Sequence, residues 1–210
     1  MIMAKKDVLK GRSIVNKNIF EQANKSGDII DKVSKEHEYL VKQKEEAPLD
    51  PNAVINFYHK KLYENPEALN CLGKLGLKKQ ANYERFKIGF SDGKLINSLS
   101  KKQIELLKKL KLIGEDNAEY FNNCIVFPIF NENGKASCIY GLDITTNEYL
   151  KPIYLNSEIP IFNEKATKVY DEVILTENIL EALSLIELEI ENVISINDSS
   201  NITARHIKLL

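Results

Sequence analysis

Apolar positions recur at two different spacings along this chain, and the change of spacing divides it. From residue 53, "AVINFYHKKLYEN" places Val54, Phe57, Tyr58 and Leu62 three and four positions apart, the spacing of a single helix face. Asp50 stands before it as an N-cap, with Pro51 at the first helical position. Pro66 opens a second helix, "PEALNCLGKLG", and Gly76 is suited to a left-handed C-cap that stops it. "KKQANYERFKIGFSDG" predicts a short helix, then an extended "FKIGF" closed by an Asp-Gly turn. "SKKQIELLKKLKLIG" predicts a third helix capped by Ser100 and stopped at Gly114. Its lysines read as an exposed face rather than a phosphate track.

Beyond residue 120 the helical period gives way to short apolar runs. "CIVFPIF" at 124–130 and "KASCIYGLDI" flank the turn "NENG", which predicts a β-hairpin with an apolar interior. "EYLKPIYLNSEIPIFNE" is extended and punctuated by Pro152 and Pro160. A buried strand at 172–176, a helix at 178–189 and a strand at 192–196 then predict a right-handed parallel βαβ unit. "ITARHIKLL" begins another helix. Residues 1–46 are polar and rich in Lys and Glu, with a thin apolar stripe, and "EEAPLDPNA" has the composition of a linker. The expected organisation is a partly helical, loosely attached segment at 1–46, a mixed subdomain at 47–168 and a βαβ-containing part at 169–210, an α+β fold.

Composition narrows the picture only a little. Hydrophobic residues make up 43% of the 210 and charged residues 28%, near the globular average, so a core can be buried. No apolar run approaches the roughly 20 residues that span a bilayer, and the N-terminus lacks a secretory signal, so no membrane association is expected. Cys71, Cys124 and Cys138 are widely spaced and there is no zinc-type pair, which predicts reduced thiols in a cytoplasmic protein and no zinc site. The net charge of −1 hides an asymmetry: residues 47–120 carry 13 Lys/Arg against 9 Asp/Glu, and residues 121–210 carry 6 against 13. The acidic half could hold a divalent cation and the mildly basic half could meet phosphate, although ordinary solvated surface explains both counts.

Candidate chemistry gathers in "VILTENILEALSL", 173–185. Glu177 stands at the carboxyl end of a predicted parallel strand, where α/β sheets collect functional groups. Glu181 follows one helical turn later, on the same side. Two neighbouring carboxylates suit one edge of a Mg²⁺ site that also takes waters and phosphates. The competing reading is a favourable helix N-terminus, with Glu177 capping and Glu181 merely solvated. His37, His59 and His206 are far apart, and no nucleophile elbow, P-loop or dinucleotide fingerprint occurs. His59, within an amphipathic helix, reads as a structural or surface residue.

Five segments, in order, resemble the RNA-polymerase core of bacterial DnaG-type primases, and more narrowly the CHC2 zinc-finger/Toprim primases of mobile elements. They are "INFYHKKLYENPEALNCLGKLGL", "YERFKIGF", "YFNNCIVFPIFNENGKASCIYGLDI", "YLNSEIPIFNE" and "VILTENILEALSLIELEIENVISI", within residues 51–210. The resemblance implies an α+β fold: the helical and mixed N-terminal part of a primase core, followed by the first βαβ unit of a Toprim domain. It implies template-directed RNA primer synthesis in DNA replication by Mg²⁺- or Mn²⁺-dependent nucleotidyl transfer. Glu177 falls on the Toprim glutamate, as catalytic residue and metal ligand. Glu181 takes the place of the family's Asp as a second ligand, and Asn178 replaces its Gly, at a turn where Asn tolerates a left-handed backbone. Lys151, Asn156, Ser157, Arg85 and Lys87 are the implied nucleotide or nucleic-acid contacts.

Departures from the family pattern temper this. Asn122, Asn123, Cys124 and Leu142 stand where the family places basic residues, which weakens electrostatic binding. Residues 1–46 hold no CHC2 cysteine–histidine set. The strand ending in Asp-x-Asp, the second Toprim motif, would follow "ITARHIKLL" and is not in the sequence. The expectation is therefore a primase truncated within the Toprim domain, or the amino-terminal portion of a split one, with an exposed sheet edge after strand 192–196. The partners implied are single-stranded DNA template and ribonucleotides, with a replicative helicase or a second chain completing the Toprim domain. The alternative is a non-catalytic nucleic-acid-binding or replisome-interaction remnant. The upstream primase-like segments argue against a Toprim nuclease or a topoisomerase-like enzyme.

Overall fold

The computed structural model describes residues 50–156, 160–196 and 206–207. The readings made above for residues 1–46, for Ser157 and for most of "ITARHIKLL" lie outside these, apart from His206 and Ile207, which are helical. Helix α1 runs Pro51–Glu64, with the Asp50 carboxylate accepting from the Asn52 N–H at 3.0 Å. Helix α2 runs Pro66–Lys74 and is capped by Asn65, whose side chain accepts from the Ala68 N–H. Gly76 follows it with φ +86°, as expected of a left-handed stop.

The segment expected as an extended "FKIGF" divides instead. Helix α3, Gln80–Phe86, continues to the phenylalanine, Lys87 turns the chain with a left-handed φ of 51°, and only Gly89–Ser91 form strand β1. A 3₁₀ turn follows at Leu95–Ser98. Helix α4, Lys101–Lys109, carries the full capping box between Ser100 and Gln103. It ends earlier than Gly114, through a left-handed Lys111 (φ 61°), because Leu112 and Ile113 are buried in the core and the chain must turn to deliver them.

Strands β2 (Cys124–Phe130), β3 (Ala136–Asp143) and β4 (Tyr149–Tyr154) join β1 in an antiparallel sheet of order β1-β2-β3-β4. Pro128 is tolerated in this interior strand because β1 reaches only from Cys124 to Val126, so no neighbour on that side seeks its missing N–H. The sheet is covered on both faces, and alternation along β2 sorts the core. Cys124 and Val126 pack with Val54, Ile55, Tyr58 and Leu107 of α1 and α4. Ile125, Phe127 and Ile129 pack with Leu72 of α2, Tyr83 of α3 and a helix that follows later in the chain.

That helix is α6, Ile179–Glu187, reached through a one-turn α5 (Ala166–Val169) and strand β5 (Ile174–Thr176). Strand β6, Val193–Ser195, pairs parallel to β5, with Ile174 opposite Val193 and Thr176 opposite Ser195, which completes the expected βαβ unit. Ile179, Ala182, Leu183 and Ile186 seat α6 against the sheet. Two expectations about this unit change. Strand β5 is not buried: Ile174 and Leu175 are 40% and 41% exposed. Among the described residues the unpaired edge is that of β5 and not of β6, because Phe162 exchanges backbone hydrogen bonds with Ser195 (2.8 and 3.2 Å) on the far side of β6. Among the described residues no helix is long and apolar enough to cross a membrane.

Candidate functional site

The strand-to-helix junction after β5 places its carboxylates by local hydrogen bonding. Asn178 is the N-cap of α6, its side-chain oxygen accepting from the Glu181 N–H at 2.9 Å. The Glu181 carboxylate turns back and accepts from the Glu177 N–H at 3.2 Å. This is close to a reciprocal capping box moved out by one residue, so Glu181 does part of the capping that the simplest reading gave to Glu177. Asn178 caps from an extended backbone (φ −142°), and the expected left-handed turn is not used. Glu177 stands outside the helix with its side chain exposed.

The junction opens onto a shallow depression shared with the start of β4, lined by Tyr149, Thr176, Asn178, Glu181 and Ser184. Burial, and then the Glu181 charge, push the Tyr149 phenol up to about 12. Both carboxylates offer hard oxygen donors, the chemistry a Mg²⁺ or Mn²⁺ ion takes. Among the described residues no group of three or more His, Cys, Asp or Glu comes together. A cation held here would therefore need ligands beyond these two carboxylates, such as waters and phosphate oxygens.

Arg85 and Lys87 lie elsewhere. They flank Phe86 at the end of α3 and form one wall of a cleft of about 630 Å³, whose opposite walls are Pro128–Phe130 of β2 and Phe162–Lys165. Phe86 and Phe162 meet across it with ring centroids 4.7 Å apart, over an otherwise apolar floor. Lys165 and Lys168 add cations to the rim, and Lys168 pairs with Glu132 at 2.7 Å. Neither lysine was singled out by sequence reasoning, although their spacing of three after "PIFNE" is a weak sign of a shared face. Arg85 forms an ion pair with Glu191, lies 3.4 Å from the Asn163 side-chain oxygen and stacks on Phe86. Lys87 lies 3.5 Å from Glu84. An incoming phosphate would therefore share these cations with protein carboxylates. Lys151 is exposed on β4 and Asn156 is exposed just after it. The structure thus groups Arg85 with Lys87 at the cleft and Glu177 with Glu181 at the junction, and the two hollows share no lining residue.

The acidic end of α6 and the ion pair beyond it tie this helix to the start of α3. Glu187 accepts from the Lys78 and Lys79 N–H groups, each at 3.2 Å, and from the Asn82 side chain at 2.8 Å. Glu189 pairs with Lys79 at 3.1 Å.

The family profile described as DNA primase catalytic core, N-terminal domain, matches residues 57–173. Solved structures share the fold. The chain is 20% identical to a DnaG primase catalytic domain bound to single-stranded DNA, with a TM-score of 0.63, covering 76% of this chain and 57% of that one. For the E. coli primase catalytic core the values are 20%, 0.63, 75% and 56%. For the RNA polymerase domain of Mycobacterium tuberculosis DnaG in complex with double-stranded DNA they are 15%, 0.62, 75% and 56%. The chain thus spans a little over half the length of these structures. Comparison with curated protein sequences returned no match.

Proposed function

The chain belongs to the DnaG-type DNA primase catalytic-core family, and from that premise we propose that it serves DNA replication through template-directed synthesis of RNA primers. The match over residues 57–173 carries this reading, and the βαβ unit that follows, with Glu177 at the end of β5, supports it. The proposed substrates are ribonucleotides, the proposed template is single-stranded DNA and the proposed cofactor is Mg²⁺ or Mn²⁺.

Glu177, exposed and outside the helix, is the proposed catalytic carboxylate and metal ligand. Glu181 holds the junction backbone through its bond to the Glu177 N–H and offers its second oxygen as an accessory ligand. A bound divalent cation supplies charge neutralisation between these carboxylates and the substrate phosphates. Arg85, Lys87, Lys165 and Lys168 offer a cationic wall to phosphates, while Phe86 and Phe162 exclude water beneath it. Lys151, Asn156 and Ser157 remain proposed nucleotide contacts on the β4 side. Two carboxylates do not by themselves align an attacking and a leaving oxygen, so the remaining acidic ligands are proposed to come from outside the described residues, on the same polypeptide or a second chain.

The test is ribonucleotide incorporation on single-stranded DNA with Mg²⁺, comparing the protein with Glu177→Gln. A loss of about a hundredfold or more is expected for removing a catalytic carboxylate. Equal product from the two proteins would sink the role given to Glu177. Binding of single-stranded DNA with no synthesis by either would favour the non-catalytic reading.

A further inference from the structure

His59 is buried on α1, and both of its ring nitrogens face acceptors. Nδ1 lies 2.7 Å from the Ile88 carbonyl oxygen and Nε2 lies 2.9 Å from a Glu84 carboxylate oxygen. A neutral imidazole carries one proton and can serve only one of these, whereas the imidazolium serves both. The approach is enforced by the backbone. Gly89, two residues beyond Lys87, lies so close to α1 that a Cβ there would stand 2.7 Å from the Tyr58 carbonyl carbon and 2.8 Å from the His59 nitrogen. The chain from Glu84 to Ile88 is therefore gripped at both ends by one ring, and between those ends lie Arg85, Phe86 and Lys87, the wall of the cleft.

The charged groups around the ring form a short account. Glu84 accepts from His59 on one oxygen and from the Tyr63 hydroxyl on the other at 2.8 Å, and Lys87 lies 3.5 Å from the same carboxylate. On the strand side, Asp92 is engaged by Lys61 and Lys94, and Lys61 also by Glu64. With His59 charged, Glu84 is balanced by the ring and Lys87 is a surplus cation at the cleft. The proton that can leave is the one on Nε2, because losing the Nδ1 proton would strand the buried Ile88 carbonyl, while Glu84 is exposed and can turn to water. Once Nε2 is bare, Lys87 is the only cation bonded to Glu84 among the described residues, and the pair carries no net charge to the cleft wall.

We propose that His59 is a positioning residue for the cleft: its doubly protonated ring holds the Glu84–Ile88 turn and shares Glu84 with Lys87, so that one positive charge is left over at the cleft for an anionic ligand such as a polyphosphate, and loss of the Nε2 proton removes it. The ligand class rests on the reading of the cleft given under the proposed function. The grip itself does not.

The test uses inorganic tripolyphosphate with the whole chain. Across a pH series from acid to mildly alkaline, affinity is expected to fall by about three- to tenfold, the weight of one partly screened charge. His59→Gln, which donates without changing charge, should show a pH slope less than half as steep, and an equal slope overturns the proposal. Ring ¹⁵N signals of wild-type His59, assigned through contacts to the Tyr63 ring, provide a readout independent of any variant's folding. Both nitrogens protonated at the acid end of the series, with Nε2 alone bared at the other end, support the latch, and one nitrogen bare throughout overturns it. If tripolyphosphate fails to bind at either end of the series, the cleft reading falls, and the ring signals alone decide the latch.

Discussion

Glu119 sits in an isolated bridge with Ile113, yet the residue is only 5% exposed and its carboxylate collects three donors: the Tyr58 hydroxyl at 3.0 Å, the Ser91 hydroxyl at 2.6 Å and the Leu95 N–H at 2.5 Å. These come from α1, β1 and the 3₁₀ turn, so a single side chain joins three pieces of the core. Burial, and then the Glu119 charge, raise the Tyr58 phenol far above its ordinary value. Glu119→Ala is expected to cost about 3 kcal/mol, because three donors lose their partner out of reach of water. Urea denaturation would read this, and a loss below about 1 kcal/mol would mean that the donors find other acceptors. Glu84 gives a pH prediction of definite sign. The hydrogen bond from His59, then that from Tyr63, hold its carboxyl down to about 2. A depressed acid contributes stability above its ordinary value and loses it as pH falls towards the depressed one. The stability difference between the protein and Glu84→Gln should therefore shrink steadily as pH falls from about 5 towards 2, small throughout because the side chain is exposed. A difference that grew in acid would contradict the pairing. Neither residue could be picked from sequence, since each owes its importance to partners more than 20 positions away.

At the scale of elements, caps were the most legible signal. Asp50 with Pro51, Ser100 and the Gly76 stop all stand where residue chemistry put them, while the Gln103 half of the Ser100 capping box was added by the structure. Gly114 misled because a glycine marks where a helix can stop, whereas two buried residues, Leu112 and Ile113, decided that this one stops sooner. The single turn of α5 and the three residues of β1 are too short to show a period. The junction after β5 was legible as a strand-to-helix handover bearing two carboxylates, but which residue caps it was not. Asn178→Ala removes the bond to the Glu181 N–H and frees the first turn of α6, which should cost about 1 kcal/mol. Thermal unfolding with and without the substitution measures it, and an unchanged midpoint would show that Glu181 alone suffices as the cap.

Across the whole molecule, the hairpin and the parallel βαβ unit were readable from pattern, while the recruitment of β1 into the antiparallel sheet was not, since pairing partners 35 positions apart leave no local trace. The same holds for the site. Glu177 and Glu181 are four apart and visible together, whereas the cleft draws on three stretches that meet only in the folded chain. The exposed edge expected after strand 192–196 is met instead by Phe162, whose segment shows extension in sequence but no partner. Glu187, described above as the acceptor for the Lys78 and Lys79 N–H groups, has one more consequence. Helix α3 spans seven residues, and its own N-cap, Lys79, makes no side-chain capping bond. A helix that short does not persist alone in water. Its start is completed by a carboxylate from more than 100 positions downstream, so α3 should form late, after α6 has docked. The cationic wall of the cleft is thereby made conditional on the unit that bears Glu177. A chain lacking that unit would lack the carboxylate that holds the start of α3, and Arg85 and Lys87 would lose the support that sets them beside the cleft.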